Sequence, residues 1–355
     1  MIDEVELSLG SVVGHSEQIM HLRREVAAGS VSHAYWISGP ARIGKTTVAL
    51  ALAWELLAAG GWPNGLLDHP DLWFDDGSGN LKIERITDRD GDPGEGPTLQ
   101  HFLSLTSYAG GPKVAVIANA ERLTLEAANS LLRILEEPPP GSVICLTTSR
   151  PQSERLPSTL RSRCTQILLG PVDQPTIAAW LVGRSGCSTS AAEVAASLSQ
   201  GAPGLALELI ADPELEERNR AAVAALVGCS ERGPGGLLQV SQEVAERGRS
   251  RDQVILTVRN WVVFLRECCR LAAGVGARPG LPIWSDQSRA LAAELGLAEC
   301  LRRYDLALDS LSRLDEGANP RLVLDRFLLL AFLGPQAPRR LTGGGEPRAD
   351  RSDMR

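Results

Sequence analysis

The sequence predicts an α/β domain built on a doubly wound parallel sheet, followed by an all-helical C-terminal half. Three observations predict it. Residues 39–47 read GPARIGKTT, a glycine-rich loop with a lysine, set between a short apolar run and a long helical pattern. Two further apolar runs, KVAVIANA and SVICLTT, alternate with segments of helical periodicity, the arrangement of a parallel sheet. Beyond about residue 171 the strand signal disappears, and apolar residues recur every three or four positions with charges between them.

Taken in order, residues 14–29 (GHSEQIMHLRREVAAG) place Ile19, Leu22 and Val26 on one helical face and stop at Gly29. HAYWISGP is a buried strand feeding the glycine loop, and TTVALALAWELLAAGG opens a helix at Thr46. Residues 87–97, TDRDGDPGEGP, are Gly-, Asp- and Pro-rich and are expected to form an exposed, mobile loop. LQHFLSLTSY is a helix and Val114–Ile117 a buried strand. TLEAANSLLRILEEPPP is a helix ended by three prolines, and SVICLTT is another buried strand. QPTIAAWLVGR, SAAEVAASLSQ and GLALELI follow as short helices. Longer ones begin at about 214, among them SDQSRALAAELG, LAECLRRYDLALDSLSRL and PRLVLDRFLLLAFL. The expected divisions are 1–170 for the α/β domain, 171–213 for a small helical lid, 214–335 for a helical domain and 336–355 for a polar, disordered tail.

Composition narrows the function. A net charge of -7 argues against a protein that coats DNA through bulk basicity, so any nucleic-acid contact is expected to be local or shared with partners. Lysine occurs only at 45, 82 and 113, which makes a lysine in the right slot of a phosphate loop hard to ascribe to chance. The acidic start, MIDEVELSLGSVV, has no basic segment ahead of an apolar run, and no stretch reaches the about 18 uninterrupted apolar residues of a membrane span. A cytoplasmic location is the expectation. The seven cysteines are scattered without a C-x-x-C pair, which suits neither a disulfide framework nor a metal site.

Gly39, Gly44, Lys45 and Thr46 fit the pattern G-x-x-x-x-G-K-[ST], in which backbone N–H groups curl around phosphate oxygens and the lysine reaches the outer phosphates; Thr47 adjoins them. Arg42 stands where many such loops have a glycine, and its side chain is expected to crowd the phosphates or strain the turn. Hydrolysis requires a carboxylate at the tip of a neighbouring strand to organise a cation and a water. After VAVI the chain offers Ala118 and Asn119, neither of which does this. Glu121, two residues on, reads as a solvated charge at the start of the next helix. Own ATPase activity is therefore expected to be absent or very weak, and magnesium binding weak or absent. Thr147 and Thr148 end SVICLTT and read either as sensors of a terminal phosphate or as hydrogen-bonded turn formers. Arg163, in LPSTLRSRC, reads either as a surface charge or as an arginine finger aimed at a neighbour's phosphates.

The order GPARIGKTT, NSLLRILEEPPPGSVICLTTSR and LPSTLRSRC resembles the clamp-loader branch of the AAA+ ATPases. HPDLWF at 69–74, FLSLTSYAGG at 102–111 and NPRLVLDRFLLL at 319–330 resemble, within it, the delta-prime group of bacterial DNA polymerase III, a likeness that covers most of residues 12–333. The resemblance implies a RecA-like AAA+ domain, a small helical lid and a helical collar that oligomerises. It implies gamma/tau and delta subunits as partners in an open, head-to-tail five-membered ring. Sliding clamp and primer–template DNA would be met through the complex, as part of the DNA-directed DNA polymerase holoenzyme. Arg163, between Ser162 and Cys164, would then reach the ATP site of the adjacent subunit. ATP is the implied nucleotide. Relatives often carry a four-cysteine zinc module after the phosphate-loop helix. Here no cysteine precedes residue 145, so no zinc and no other metal is expected. Gly204 and Leu205 stand where nucleotide-sensing relatives place an arginine in the lid. Two rival readings remain open: an active gamma/tau-like ATPase, which would need the missing carboxylate, and a phosphate-loop kinase of a small molecule.

Overall fold

Strands buried on both faces need apolar runs through their middle, and three have them: β1 (Ala34–Ser38), β3 (Lys113–Ile117) and β4 (Ser142–Thr148), with every residue buried and polar side chains only at their ends. With β2 (Leu72–Asp75) and β5 (Thr165–Leu168) at the edges they form a five-stranded, all-parallel sheet in the order β2-β3-β4-β1-β5. The structure is a computed structural model and describes residues 7–57, 65–88, 96–149, 156–211, 213–247, 251–275 and 284–334. Most of the loop expected at 87–97 and the whole tail expected at 336–355 lie outside the described residues.

Alternate residues along the three central strands enter two separate cores, as the pleat requires. Tyr35, Ile37, Val114, Val116 and Cys145 pack with α1 (Ser16–Ala28) and α2 (Lys45–Leu57). Trp36, Ala115, Ile117, Ile144 and Leu146 pack on the opposite face. Their partners there are the short α3 (Ile83–Ile86), α4 (Leu99–Ser104), α5 (Leu125–Glu136) and α6 (Ser158–Ser162). Thr124 caps α5 by accepting the Ala127 N–H at 3.3 Å. The two edge strands carry no sequence expectation. Both are only four residues long, and Thr165–Leu168 buries one residue in four, so neither shows the apolar run that marks the central strands.

By its contacts the chain divides into Met1–Ala211 and Asp212–Arg355. The first unit includes α7 (Gln174–Ser185), α8 (Thr189–Ser199) and α9 (Pro203–Ala211) as well as the sheet. Asp173 caps α7 through the Thr176 N–H at 3.0 Å. The second unit is helical among the described residues: α10 (Pro213–Val227), α11 (Pro234–Arg247), α12 (Arg251–Ala272), α13 (Ser285–Asp315) and α14 (Pro320–Leu333). Its core is aromatic. Trp261 donates its indole N–H to the Ala222 carbonyl at 2.8 Å and stacks on Phe327, with centroids 5.3 Å apart. Gly296, with φ 70 and ψ 170, breaks α13 where two expected helices meet. No helix among the described residues is long and apolar enough to cross a membrane.

Candidate nucleotide site

β1 delivers the chain to the C-terminal edge of the sheet, where α2 begins, and the glycine loop bridges the two. Gly39 has φ 155, and a Cβ there would stand 2.4 Å from the Leu169 carbonyl, so only glycine fits beside the strand end. Its N–H donates to the Thr148 carbonyl at 3.3 Å. Gly44 has φ 103 and its carbonyl accepts the Val48 N–H at 2.9 Å, starting the helix. His15 bonds the Ile43 carbonyl at 3.2 Å through Nε2.

Beside this loop lies a cavity of about 470 Å³, a size suited to a nucleotide. Gly44, Lys45, Thr46 and Thr47 line its floor. Val12, Val13 and Ile43 give it an apolar side. From the helical layer, α7 adds Trp180 and Arg184, whose guanidinium lies 5.8 Å from the indole centre, and α9 adds Gly204 and Leu207. Among the described residues that line it there is no carboxylate.

Lys45 is 6% exposed. Its Nζ donates to the Pro40 carbonyl at 2.7 Å and to the Ser149 hydroxyl at 2.9 Å. Burial pulls its pKa down to about 8, and the charge of Glu121 resists that fall. Glu121 is not the solvated charge expected from sequence. It sits in a 3₁₀ turn, Ala120–Arg122, where Oε1 accepts the Ser149 N–H at 3.2 Å and Oε2 is buried without a hydrogen-bond partner. The turn brings it to the residue just past β4, which the linear sequence did not reveal.

Ala118 is 1% exposed, and the Asn119 N–H donates to Thr147 Oγ1 at 3.1 Å. Thr147 and Thr148 are fully buried, and of the hydroxyls at this strand end it is Ser149, one residue further on, that lines the cavity. The signal for Ser149 was its position just past a strand whose C-terminal end faces the loop. Arg42 takes the left-handed conformation, φ 62, which confirms strain in the turn. Its guanidinium forms an ion pair with Glu208 of α9, and the residue lines the cavity. Arg163 does not line this cavity. It follows α6, one-third exposed, and donates to Glu136 Oε1 at 2.5 Å and to the Thr159 carbonyl at 3.1 Å.

Residues 69–173 match the family model described as DNA polymerase III, delta subunit. The chain is 44% identical over 100 residues to DNA polymerase III subunit delta' of Escherichia coli, covering 28% of this chain and 29% of that protein. It is 31% identical over 156 residues to subunit delta' of Pseudomonas aeruginosa, covering 38% and 42% respectively. To subunit tau of Escherichia coli it is 31% identical over 181 residues, covering 47% of this chain and 26% of tau. The matched part thus spans less than half the length of each of these relatives.

Proposed function

We propose that the chain is a delta-prime-like clamp-loader subunit of DNA polymerase III and works there as a stator that holds ATP without hydrolysing it, a reading supported by its likeness to delta' subunits. The observation that carries this reading is the composition of the cavity wall. It has a lysine and two arginines and, among the described residues, no carboxylate. Phosphates find cationic and N–H donors there, while a cation-bound attacking water finds no carboxylate and no base at Ala118 or Asn119. Glu121 accepts the Ser149 N–H and is not among the residues that line the cavity.

In this reading Thr46 and Thr47 sit at the phosphate end, and Val12, Val13 and Ile43 take the base. Arg163 supplies charge to the triphosphate of an adjacent gamma/tau subunit in a ring that also holds delta and loads a sliding clamp on primed DNA. The Glu136 contact keeps its guanidinium ordered at the surface, from which a stronger phosphate partner can take it. The test is turnover. The isolated full-length chain should bind ATP and release no phosphate above background, and magnesium-dependent release that Lys45→Ala abolishes would reverse the assignment in favour of an active ATPase. In the reconstituted complex, Arg163→Ala should cut ATPase at the neighbouring site by roughly 10³-fold or more with assembly intact. Unchanged complex activity would return Arg163 to an ordinary surface role.

A further inference from the structure

Helix α9 and the phosphate loop meet at one residue, Arg42, through both its backbone and its side chain. The Gly204 N–H donates to the Arg42 carbonyl at 3.0 Å. The approach is close: a Cβ at position 204 would stand 2.9 Å from that oxygen, a distance real side chains do not take against backbone. One turn along α9, on the same face, the Glu208 carboxylate receives the Arg42 guanidinium. Arg42 does this from a left-handed backbone that non-glycine residues rarely adopt, so local strain is concentrated at the residue making both contacts.

Arg42 also lines the cavity, beside Lys45 and Thr46. A guanidinium is planar, permanently charged and suited to phosphate oxygens as well as to carboxylates. Its side chain and that of Glu208 are each about half exposed, 50% and 49%, so the ion pair is weak enough to exchange. A carboxylate from α9 and the phosphates of a nucleotide are thus rival partners for one guanidinium.

We propose that Glu208 is a positioning residue of the phosphate loop, holding the Arg42 guanidinium on α9 and off the phosphates, while the Gly204–Arg42 bond fixes α9 to the loop with or without ligand. The proposal rests on reading the cavity as a site for a nucleoside di- or triphosphate. It makes nucleotide affinity a competition within the chain, with Glu208 lowering it.

The experiment uses the full-length chain and ATP. By titration calorimetry at low salt, Glu208→Gln should bind ATP about three- to fivefold more tightly than wild type, with the gap closing as salt rises. Glu208→Lys should do so at least as strongly. In an Arg42→Gly background, where the loop relaxes to the residue its φ prefers, the same changes at 208 should have no effect. Equal affinity of wild type and both Glu208 variants, or a gain that survives in Arg42→Gly, would overturn the proposal. Amide hydrogen exchange without nucleotide supplies an arm that does not depend on ATP. Exchange at residues 204–208 should be several-fold faster in Glu208→Lys than in wild type, with α8 unchanged as the reference. If wild type binds no ATP, the nucleotide reading fails, and faster exchange in the variant alone upholds the Arg42–Glu208 tether. Unchanged exchange removes the tether whatever the calorimetry shows.

Discussion

Two lysines are buried at opposite ends of the same sheet, and they are held in opposite ways. Lys113, the first residue of β3, is 7% exposed. Its Nζ lies 3.5 Å from Asp71 Oδ1 and 4.1 Å from the centre of the Phe102 ring. Asp71, itself 1% exposed, also accepts the Ser107 hydroxyl at 3.0 Å and the N–H groups of Tyr108 and Ala109 at 2.8 and 2.9 Å. Lys45, the first residue of α2, is just as buried but donates to two neutral oxygens, those of Pro40 and Ser149. Among the described residues it has no ion pair. A cation withdrawn from water needs an opposite charge. The fold supplies one to Lys113. At Lys45, on the C-terminal edge where α/β sheets bind ligands, the fold offers only the nearby charge of Glu121, with no ion pair among the described residues, and in the proposed function a phosphate completes the compensation. The same residue type thus serves as a structural rivet in one place and, in the proposed function, as a phosphate receptor in the other.

Removing the partner of the rivet is the strongest way to break this contrast. Asp71→Asn leaves the Lys113 charge buried beside an amide and weakens the bonds that hold residues 107–109. It should cost about 3–5 kcal/mol, lowering the melting temperature of the first unit by roughly 10 °C. A variant that melts with wild type would mean that Lys113 needs no counter-charge. Lys45→Met comes next, and its two readouts should part company. ATP affinity should fall roughly 10- to 100-fold, while the melting temperature holds or rises by a few degrees, because a poorly compensated charge has been replaced by an apolar chain of similar length. A melting loss on the scale of Asp71→Asn would make Lys45 structural too.

The contrast was only half legible in the sequence. The slot of Lys45 could be read because glycine spacing, strand and helix are local patterns, and the central strands because burial on both faces demands unbroken apolar runs. Asp71 and Lys113 lie 42 positions apart, and nothing in either neighbourhood announces that parallel pairing of β2 with β3 brings them together. Glu121 misled for a related reason: charge next to a helix start is usually solvated, and only the 3₁₀ turn aims it at Ser149. Glu208 was invisible as a partner of Arg42 because the ion pair spans 166 positions and obeys no periodicity. The edge strands escaped because half-exposed four-residue segments carry little apolar signal.

The smallest expected effect is also the most discriminating, because it reads the charge on Lys45 directly. Burial sets its pKa at about 8, against 10.5 for an ordinary lysine, and Glu121 keeps it from falling further. Below about pH 8 the ammonium is already formed and ready for phosphate. Above it, binding must take up a proton, so ATP affinity should decline with rising pH by up to tenfold per unit. The stability of the chain runs the other way. Between about 8 and 10.5 the unfolded lysine holds a proton that the folded one has lost, so this group favours the folded state more as pH rises through that window. Glu121→Gln should move the downturn in affinity to lower pH while leaving the affinity well below it nearly unchanged. Calorimetric titrations at half-unit steps from pH 6.5 to 9.5 would show the shift. A profile that stays flat to pH 9.5 would mean that Lys45 finds a full counter-charge within the fold, and the two lysines would no longer differ.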